Sequence, residues 1–195
     1  IDDLPEYVEI IRGNPRPISM VAGVEDCAAA LFLGYHAKFG TAKSTFDHTY
    51  SSGTIHQIAV NGCAASEFLL NAYVAGEFGV PVILVAGDAQ LLKDDVLTYA
   101  PWAEVVALKH SLSRISARSP SLLTIEKELR AATKQAALNF KEKKVQPLIV
   151  GEPVKVDVTF HSTLFADVAE LLPIVTRVDG LKVTYAASTM VEAYK

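Results

Sequence analysis

Three side chains between residues 36 and 67 have the chemistry of a hydrolytic metal site. His36, His48 and Glu67 follow one another in that order. Imidazole nitrogen and carboxylate oxygen are the ligands that a catalytic zinc uses when it keeps one position open for water. Their spacing forms no compact signature such as His-Glu-x-x-His, and a lone histidine at a strand end is more often a hydrogen-bonded core or rim residue. The residue types alone therefore suggest a metal hydrolase without deciding it.

The elements around these residues favour the functional interpretation. Residues 31–35 form a short apolar run that predicts a buried strand ending at His36, and strand ends are where α/β sheets place their chemistry. Glu67 begins the amphipathic pattern of residues 66–76, so its carboxylate is expected near a helix N-terminus. Both side chains are thus predicted at the ends of secondary-structure elements.

The segment 37–47 joins the two histidines and consists mostly of small and polar residues. It is either a substrate loop that carries His48 to a metal centre or a plain surface connection. Asp88 follows a predicted strand, where it either contacts a substrate amine or caps the next helix. His110 lies in a polar segment in which Lys109 or Arg114 either orients a peptide carboxylate or belongs to a solvated loop. Two further histidines are interpreted as structural: His56 and His161.

Short runs rich in valine and isoleucine alternate with helical patterns along the chain. This alternation predicts an α/β fold with a mixed, mostly parallel sheet flanked by helices and a small C-terminal α/β layer. The predicted strands are 8–12, 31–35, 55–60, 82–86, 105–108, 154–160 and 181–185.

The longest helix is predicted over residues 120–141. Ser119 is its expected N-cap, and Pro120 suits the first helical position because the missing amide hydrogen is not needed there. The helix is expected to turn one apolar face inward: Leu122, Leu123, Ile125, Leu129 and Ala132.

Composition restricts the function classes. A chain of 195 residues with 50% hydrophobic and 21% charged residues predicts one domain over 1–195, with 153–195 as a candidate subdomain. The net charge of −4 argues against nucleic acid as a partner. The apolar runs are too short for a bilayer, so we expect a cytoplasmic protein without a membrane partner. Cys27 and Cys63 form no metal knuckle and are expected to be small buried residues.

Five blocks of sequence, taken in order, resemble the DppA-type D-aminopeptidases, a family of zinc metallopeptidases. A matching series of five blocks is far more specific than any one of them. The blocks are 19–26, 30–37, 67–76 (EFLLNAYVAG), 80–88 and 190–194.

The resemblance implies specific roles for three residues. His36 and Glu67 match two ligands of a paired site for two zinc ions per subunit, and His48 matches the catalytic histidine. The implied activity is removal of N-terminal D-amino acids from short peptides by metal-activated water, with His48 assisting; whether His48 itself attacks the carbonyl stays open. The implied assembly is a homo-oligomer, a decamer of pentameric rings that encloses its active sites.

The sequence departs from the family in one respect. The other metal ligands of the family lie in an Asp-x-Glu-Gly motif and an Asn-Asp-Ser-His segment, and neither occurs in these residues. We expect that an N-terminal portion of the family fold is missing here, rather than carried on another chain or lost. The alternative function is a non-catalytic α/β binding or assembly protein that keeps an incomplete metal site. A serine hydrolase is a weaker alternative because no G-x-S-x-G motif occurs.

Overall fold

The computed structural model describes residues 4–195, which form two β-sheets with helices packed against them. The strands are β1 (Ala30–Tyr35), β2 (Ile55–Val60), β3 (Cys63–Ala64), β4 (Val82–Asp88), β5 (Glu104–Ser113), β6 (Ser116–Arg118), β7 (Val154–Phe160), β8 (Thr176–Arg177) and β9 (Lys182–Ala187). The α-helices are α1 (Glu67–Glu77), α2 (Ala89–Leu91), α3 (Leu97–Tyr99), α4 (Leu122–Lys141), α5 (Thr163–Ala169) and α6 (Met190–Tyr194). A π-helical segment, Leu92–Val96, joins α2 to α3.

The first sheet has the strand order β1-β4-β5-β6. β1 and β5 both run parallel to β4, and β6 is the antiparallel partner of β5. Every residue of β4 is buried, as expected for a parallel strand that is covered on both faces. Because β1, β4 and β5 are parallel, their carboxyl ends meet at one edge of the sheet, where ligands of open α/β sheets bind.

The second sheet is antiparallel throughout, in the order β3-β2-β7-β9-β8. The predicted mixed α/β class, with a mostly parallel sheet flanked by helices, is confirmed. The C-terminal layer is larger than expected, because β7 pairs with β2 from the first half of the chain. The proposed single domain with a candidate subdomain at 153–195 stays a prediction.

Helix α1 lies between the two sheets. Its residues from Glu67 to Gly76 are all buried, and Phe68, Leu69 and Val74 belong to the same apolar cluster as side chains of β1, β2, β4 and β7. A helix that is apolar on all sides is stable only in such an enclosed position. The N-cap is Ser66, whose side chain accepts a hydrogen bond from the Leu69 amide at 3.4 Å. Among the described helices, none has the length and apolar character needed to cross a membrane.

Most predicted strands are present, but residues 8–12 form no strand. This segment has no strand partner within residues 4–195, and without a neighbouring ladder its alternating pattern does not define a strand. The predicted burial of Cys27 is also wrong. Cys27 is exposed and Cys63 is half-buried, 2.8 Å from the Tyr99 hydroxyl.

Helix α4 starts later than predicted. Ser121 rather than Ser119 is the N-cap, with its hydroxyl 3.3 Å from the Thr124 amide, so Pro120 lies outside the helix. Leu122 and Leu123 are exposed because the first turn lies beyond the sheet. The packed face consists of Leu129, Ala132, Ala136 and Phe140 against β4 and β5.

The backbones of β1 and β4 come unusually close at Gly87. This residue pairs with Tyr35, and a Cβ atom at Gly87 would overlap the carbonyl oxygen of Tyr35. We expect Gly87→Ala to lower the free energy of unfolding by about 1–3 kcal/mol, since the strands must separate to fit the methyl group. Urea denaturation measures this change. Gly53→Ala is the matched control, because its Cβ would meet nothing within 4 Å. Equal stability of the two variants would contradict the steric argument.

Candidate metal centre

The three residues predicted from the sequence lie together. His36 follows β1, His48 directly follows the loop 37–47, and Glu67 is the first residue of α1. One possible ligand atom from each lies within 4.8 Å of the others, and no comparable cluster of three such side chains exists elsewhere in residues 4–195. The two imidazole centroids are 4.3 Å apart, and His48 Nε2 is 3.8 Å from Glu67 Oε1. The loop therefore brings His48 next to His36 and Glu67, and its role as a substrate loop stays a prediction.

Backbone carbonyl groups orient both imidazoles. His48 Nδ1 is 2.5 Å from the Phe46 carbonyl oxygen, and His36 Nδ1 is 3.2 Å from that of Ala37. Each Nδ1 must carry the hydrogen to donate these bonds, which leaves both Nε2 lone pairs free. This is the arrangement that metal-binding histidines commonly have, because the second nitrogen fixes the tautomer and the ring orientation.

Glu67 is fixed from two directions. It is 8% exposed at the start of α1, and the Tyr50 amide donates a 2.8 Å hydrogen bond to its Oε1. The chain from His48 to Tyr50 is itself held by Thr49, whose buried hydroxyl donates to the Ala65 carbonyl at 3.1 Å. The loop that delivers His48 and the helix that delivers Glu67 are therefore one bonded unit.

Asp47 holds the two ends of the loop together. One of its oxygens accepts the Gly40 amide at 2.7 Å, and the other accepts Arg114 Nε at 3.0 Å. The Arg114 carbonyl in turn accepts the Phe46 amide at 2.9 Å. Arg114 was a candidate for binding a substrate carboxylate; here its side chain pairs with Asp47 and positions the residue before His48. The sequence analysis did not identify Asp47, whose only signal was its place next to His48.

Asp88 anchors the middle of the loop. It is fully buried at the end of β4, where it accepts the Thr45 amide at 3.2 Å and a hydrogen bond from the Ser111 hydroxyl. Its other oxygen accepts the Gln90 amide at 2.8 Å and so caps α2. Of the two predicted roles for Asp88, the structure shows helix capping. A further ion pair, Lys38 Nζ to Asp95 Oδ1 at 2.5 Å, ties the first part of the loop to the π-helical segment.

The other histidines lie outside the group. His110 is within β5, paired with Arg118, rather than in a loop after the strand. His56 and His161 contact each other, with ring centroids 5.4 Å apart, and both pack against Phe39 of the loop at 4.8 and 4.9 Å. These two imidazoles therefore support the loop from the second sheet.

A chain of hydrogen-bonded tyrosine hydroxyls adjoins Glu67 and was not predicted from the sequence. Asn71 Nδ2 donates to the Tyr35 hydroxyl at 2.9 Å, the Tyr194 hydroxyl donates to Asn71 Oδ1 at 2.6 Å, and the hydroxyls of Tyr50 and Tyr194 bond to each other. Burial raises the pKa of all three tyrosines, and the negative charge of Glu67 adds to the rise. The only sequence signal was Asn71, a polar residue within an apolar helix.

The donor set suits zinc. Imidazole nitrogen and carboxylate oxygen are typical ligands of catalytic zinc, so His36 and Glu67 fit this ion, and a ligand atom of His48 lies within 4.8 Å of both. Oriented Nε2 atoms and a fixed carboxylate lower the conformational cost of binding.

A family model described as D-aminopeptidase matches residues 1–195. The chain belongs to the D-aminopeptidase family. A D-aminopeptidase of Bacillus subtilis (strain 168) is 33% identical over 198 residues, which cover 100% of this chain and 70% of that protein. A solved structure, the Zn-dependent D-aminopeptidase DppA from Bacillus subtilis, a self-compartmentalizing protease, matches with a TM-score of 0.92 at 32% identity. That match covers 100% of this chain and 70% of the solved chain.

These matches confirm the family predicted from the five sequence blocks. As a member, the protein is a metallo-aminopeptidase of a zinc-dependent family, and a non-catalytic assembly protein is not favoured. The roles of His36, His48 and Glu67, and the number of zinc ions, stay predictions.

The tyrosine chain predicts a loss of stability at alkaline pH. Tyr194 keeps its proton in the folded state above its ordinary pKa near 10, whereas the unfolded chain releases it, so stability falls as pH rises past about 10. Tyr194→Phe removes this titration, so the free energy of unfolding falls less steeply with pH. The slope changes by at most about 1.4 kcal/mol per pH unit, and partial exposure of the ring keeps the change below this limit. Urea denaturation from about pH 9 to about pH 11 measures the slope. Tyr7→Phe, at a highly exposed ring, is the control and leaves the slope unchanged. An unchanged slope in both variants would refute the assignment.

Proposed function

We propose that this protein removes N-terminal D-amino acids from short peptides, with His36 and Glu67 as zinc ligands and His48 as the catalytic residue. The observation that carries the proposal is the meeting of these three side chains in one group. It is supported by the name of the Bacillus subtilis relative, a D-aminopeptidase.

His36 Nε2 and the Glu67 carboxylate are the ligands that this chain offers. When bound, zinc lowers the pKa of a coordinated water and polarises the peptide carbonyl. A catalytic zinc usually has three protein ligands, so the complete site, proposed to hold two zinc ions per subunit, needs further ligands from elsewhere in the protein. Tyr50 keeps Glu67 in place through its amide.

His48 is placed to move a proton. Its free Nε2 accepts a proton from the attacking water and returns it to the leaving amine, as general acid–base catalysis requires. The imidazolium formed in between is stabilised at both nitrogens: Nδ1 donates to the Phe46 carbonyl at 2.5 Å, and Glu67 Oε1 lies 3.8 Å from Nε2. These contacts favour an acid–base role over direct attack by the imidazole.

The surface of α5 and the turn after it suits association with further copies of the chain. Five large apolar side chains are more than half exposed there, which is unusual for a contiguous surface of a monomer. They are Leu164, Val168, Leu171, Leu172 and Ile174. We propose that this α5 surface is an interface of a homo-oligomer, and that this oligomer is a decamer of pentameric rings. The proposal of an assembly is supported by the Bacillus subtilis structure, which is described as a self-compartmentalizing protease.

Variants of the centre separate binding from catalysis. We expect Glu67→Ala to lower zinc content, because a fixed ligand is lost. His48→Gln is expected to keep its zinc and to lower kcat by about 10²–10⁴-fold, the usual contribution of a general acid–base residue. Plasma emission spectroscopy gives the zinc content, and release of D-alanine or L-alanine from matched peptides gives the rates. His110→Gln is the control and should change neither.

The outcomes of this experiment are distinct. Full activity of His48→Gln would remove His48 from the mechanism, whereas zinc loss in that variant would make His48 a ligand instead. Equal cleavage of D-alanyl and L-alanyl peptides would contradict D-specificity.

A charge on the α5 surface tests the assembly. We expect Leu171→Glu to shift the protein to smaller species, because burying an unpaired carboxylate in an apolar interface is unfavourable. Native mass spectrometry counts the subunits. Thr133→Glu adds the same charge to an exposed position of α4 and should leave the assembly intact. An unchanged subunit count in Leu171→Glu would exclude this surface as an interface.

A further inference from the structure

A cavity of about 280 Å³ lies between α1, α6 and the second sheet. Its aliphatic wall includes Ile58, Leu70, Val158 and Met190. The rings of Tyr50, Tyr185 and Tyr194 and the side chain of Ser19 also line it, and Tyr50 and Tyr194 belong to the hydroxyl chain. This volume is just below the range of about 300–1,000 Å³ that is typical of drug-sized ligands. The cavity therefore has room for one amino-acid side chain.

The cavity borders the metal centre through two elements. Tyr50 lines it and also donates its amide to Glu67 Oε1 at 2.8 Å. Leu70 lines it from α1, three residues after Glu67, and side chains three apart lie on the same helix face. Tyr50 and α1 thus connect the cavity to the carboxylate of Glu67.

The wall favours an apolar occupant. The hydroxyls of Tyr50 and Tyr194 already bond to each other, and Tyr194 also donates to Asn71, so they need no polar ligand. Among residues 4–195, no lysine, arginine, aspartate, glutamate or histidine lines the cavity. A charged side chain would lose its hydration there without gaining a partner.

We propose that this cavity is the specificity pocket of the enzyme, which receives the side chain of the N-terminal substrate residue and selects apolar side chains of leucine size. This inference rests on the proposed aminopeptidase function. It adds a substrate class, peptides that begin with a medium-sized apolar residue, and assigns the selection to the walls around Val158.

The test compares peptides that differ only in their first residue. For the metal-loaded wild-type protein, we expect kcat/KM to be about 10–100-fold higher for a D-leucyl than for a D-alanyl peptide, as hydrophobic pockets discriminate. Val158→Phe fills the cavity and should lower the D-leucyl value by about 10-fold or more, while the D-alanyl value changes little. Val178→Phe adds the same bulk at an exposed position and is the matched control.

Binding supplies a readout that does not depend on turnover. Free D-leucine should bind the wild-type protein more tightly than glycine in isothermal titration calorimetry, and Val158→Phe should abolish the difference. If Val158→Phe does not fold, Val158→Ile adds one methylene and should produce a smaller change in the same direction. If the D-leucyl and D-alanyl peptides are cleaved at equal rates and Val158→Phe changes neither rate, the pocket assignment is overturned. The proposed aminopeptidase function is unaffected by that result. Absence of hydrolysis with D-leucine binding intact would overturn the proposed function but not the pocket.

Discussion

The close approach of β1 and β4 at Tyr35 and Gly87 sets the geometry of the centre. Glycine at position 87 leaves the space that the Tyr35 carbonyl occupies, so the two parallel strands end side by side. His36 and Asp88 are the next residues on the two strands. One strand end thus supplies the imidazole, and the other supplies the carboxylate that anchors the loop between His36 and His48. A wider gap would separate the site from its support.

The buried aspartates of this protein mainly hold the loop 37–47 in place. Asp47, Asp88 and Asp95 are all buried, and each forms a bond with a residue of the loop 37–47. Asp47 binds Gly40 and also Arg114 outside the loop, Asp88 binds Thr45, and Asp95 binds Lys38. A buried carboxylate is costly unless it is hydrogen-bonded or paired, so the contacts of these three aspartates favour one conformation of the loop. The loop is rich in small residues and would otherwise be mobile. These bonds explain how such a segment presents His48 in a defined orientation.

The sequence predicted those parts of the fold that depend on local patterns. The apolar runs of β1, β2, β4 and β7 and the helix at Glu67 carry their signals in neighbouring residues. Residues 8–12 show the limit, since a strand also needs a partner that the sequence does not display. The start of α4 shows a second limit. Ser119 and Ser121 are equally good N-caps by residue type, so the type alone does not determine where the helix begins. His36, His48 and Glu67 were predicted as a site because of the family resemblance. The tyrosine chain was not predicted, because it joins positions up to 159 residues apart that no local pattern connects.

Helix α1 connects the metal centre to the proposed specificity pocket. Glu67 lies at its first residue, Leu70 faces the cavity and Asn71 binds the hydroxyls of Tyr35 and Tyr194, all within about one turn. Because α1 is buried between both sheets, it cannot shift at one of these sites without shifting at the others. The helix therefore fixes the distance between Glu67 and the walls of the cavity. In the proposed function, a side chain of the correct size in the cavity would place the peptide carbonyl beside His48 and Glu67, so that selection and catalysis would share one rigid element.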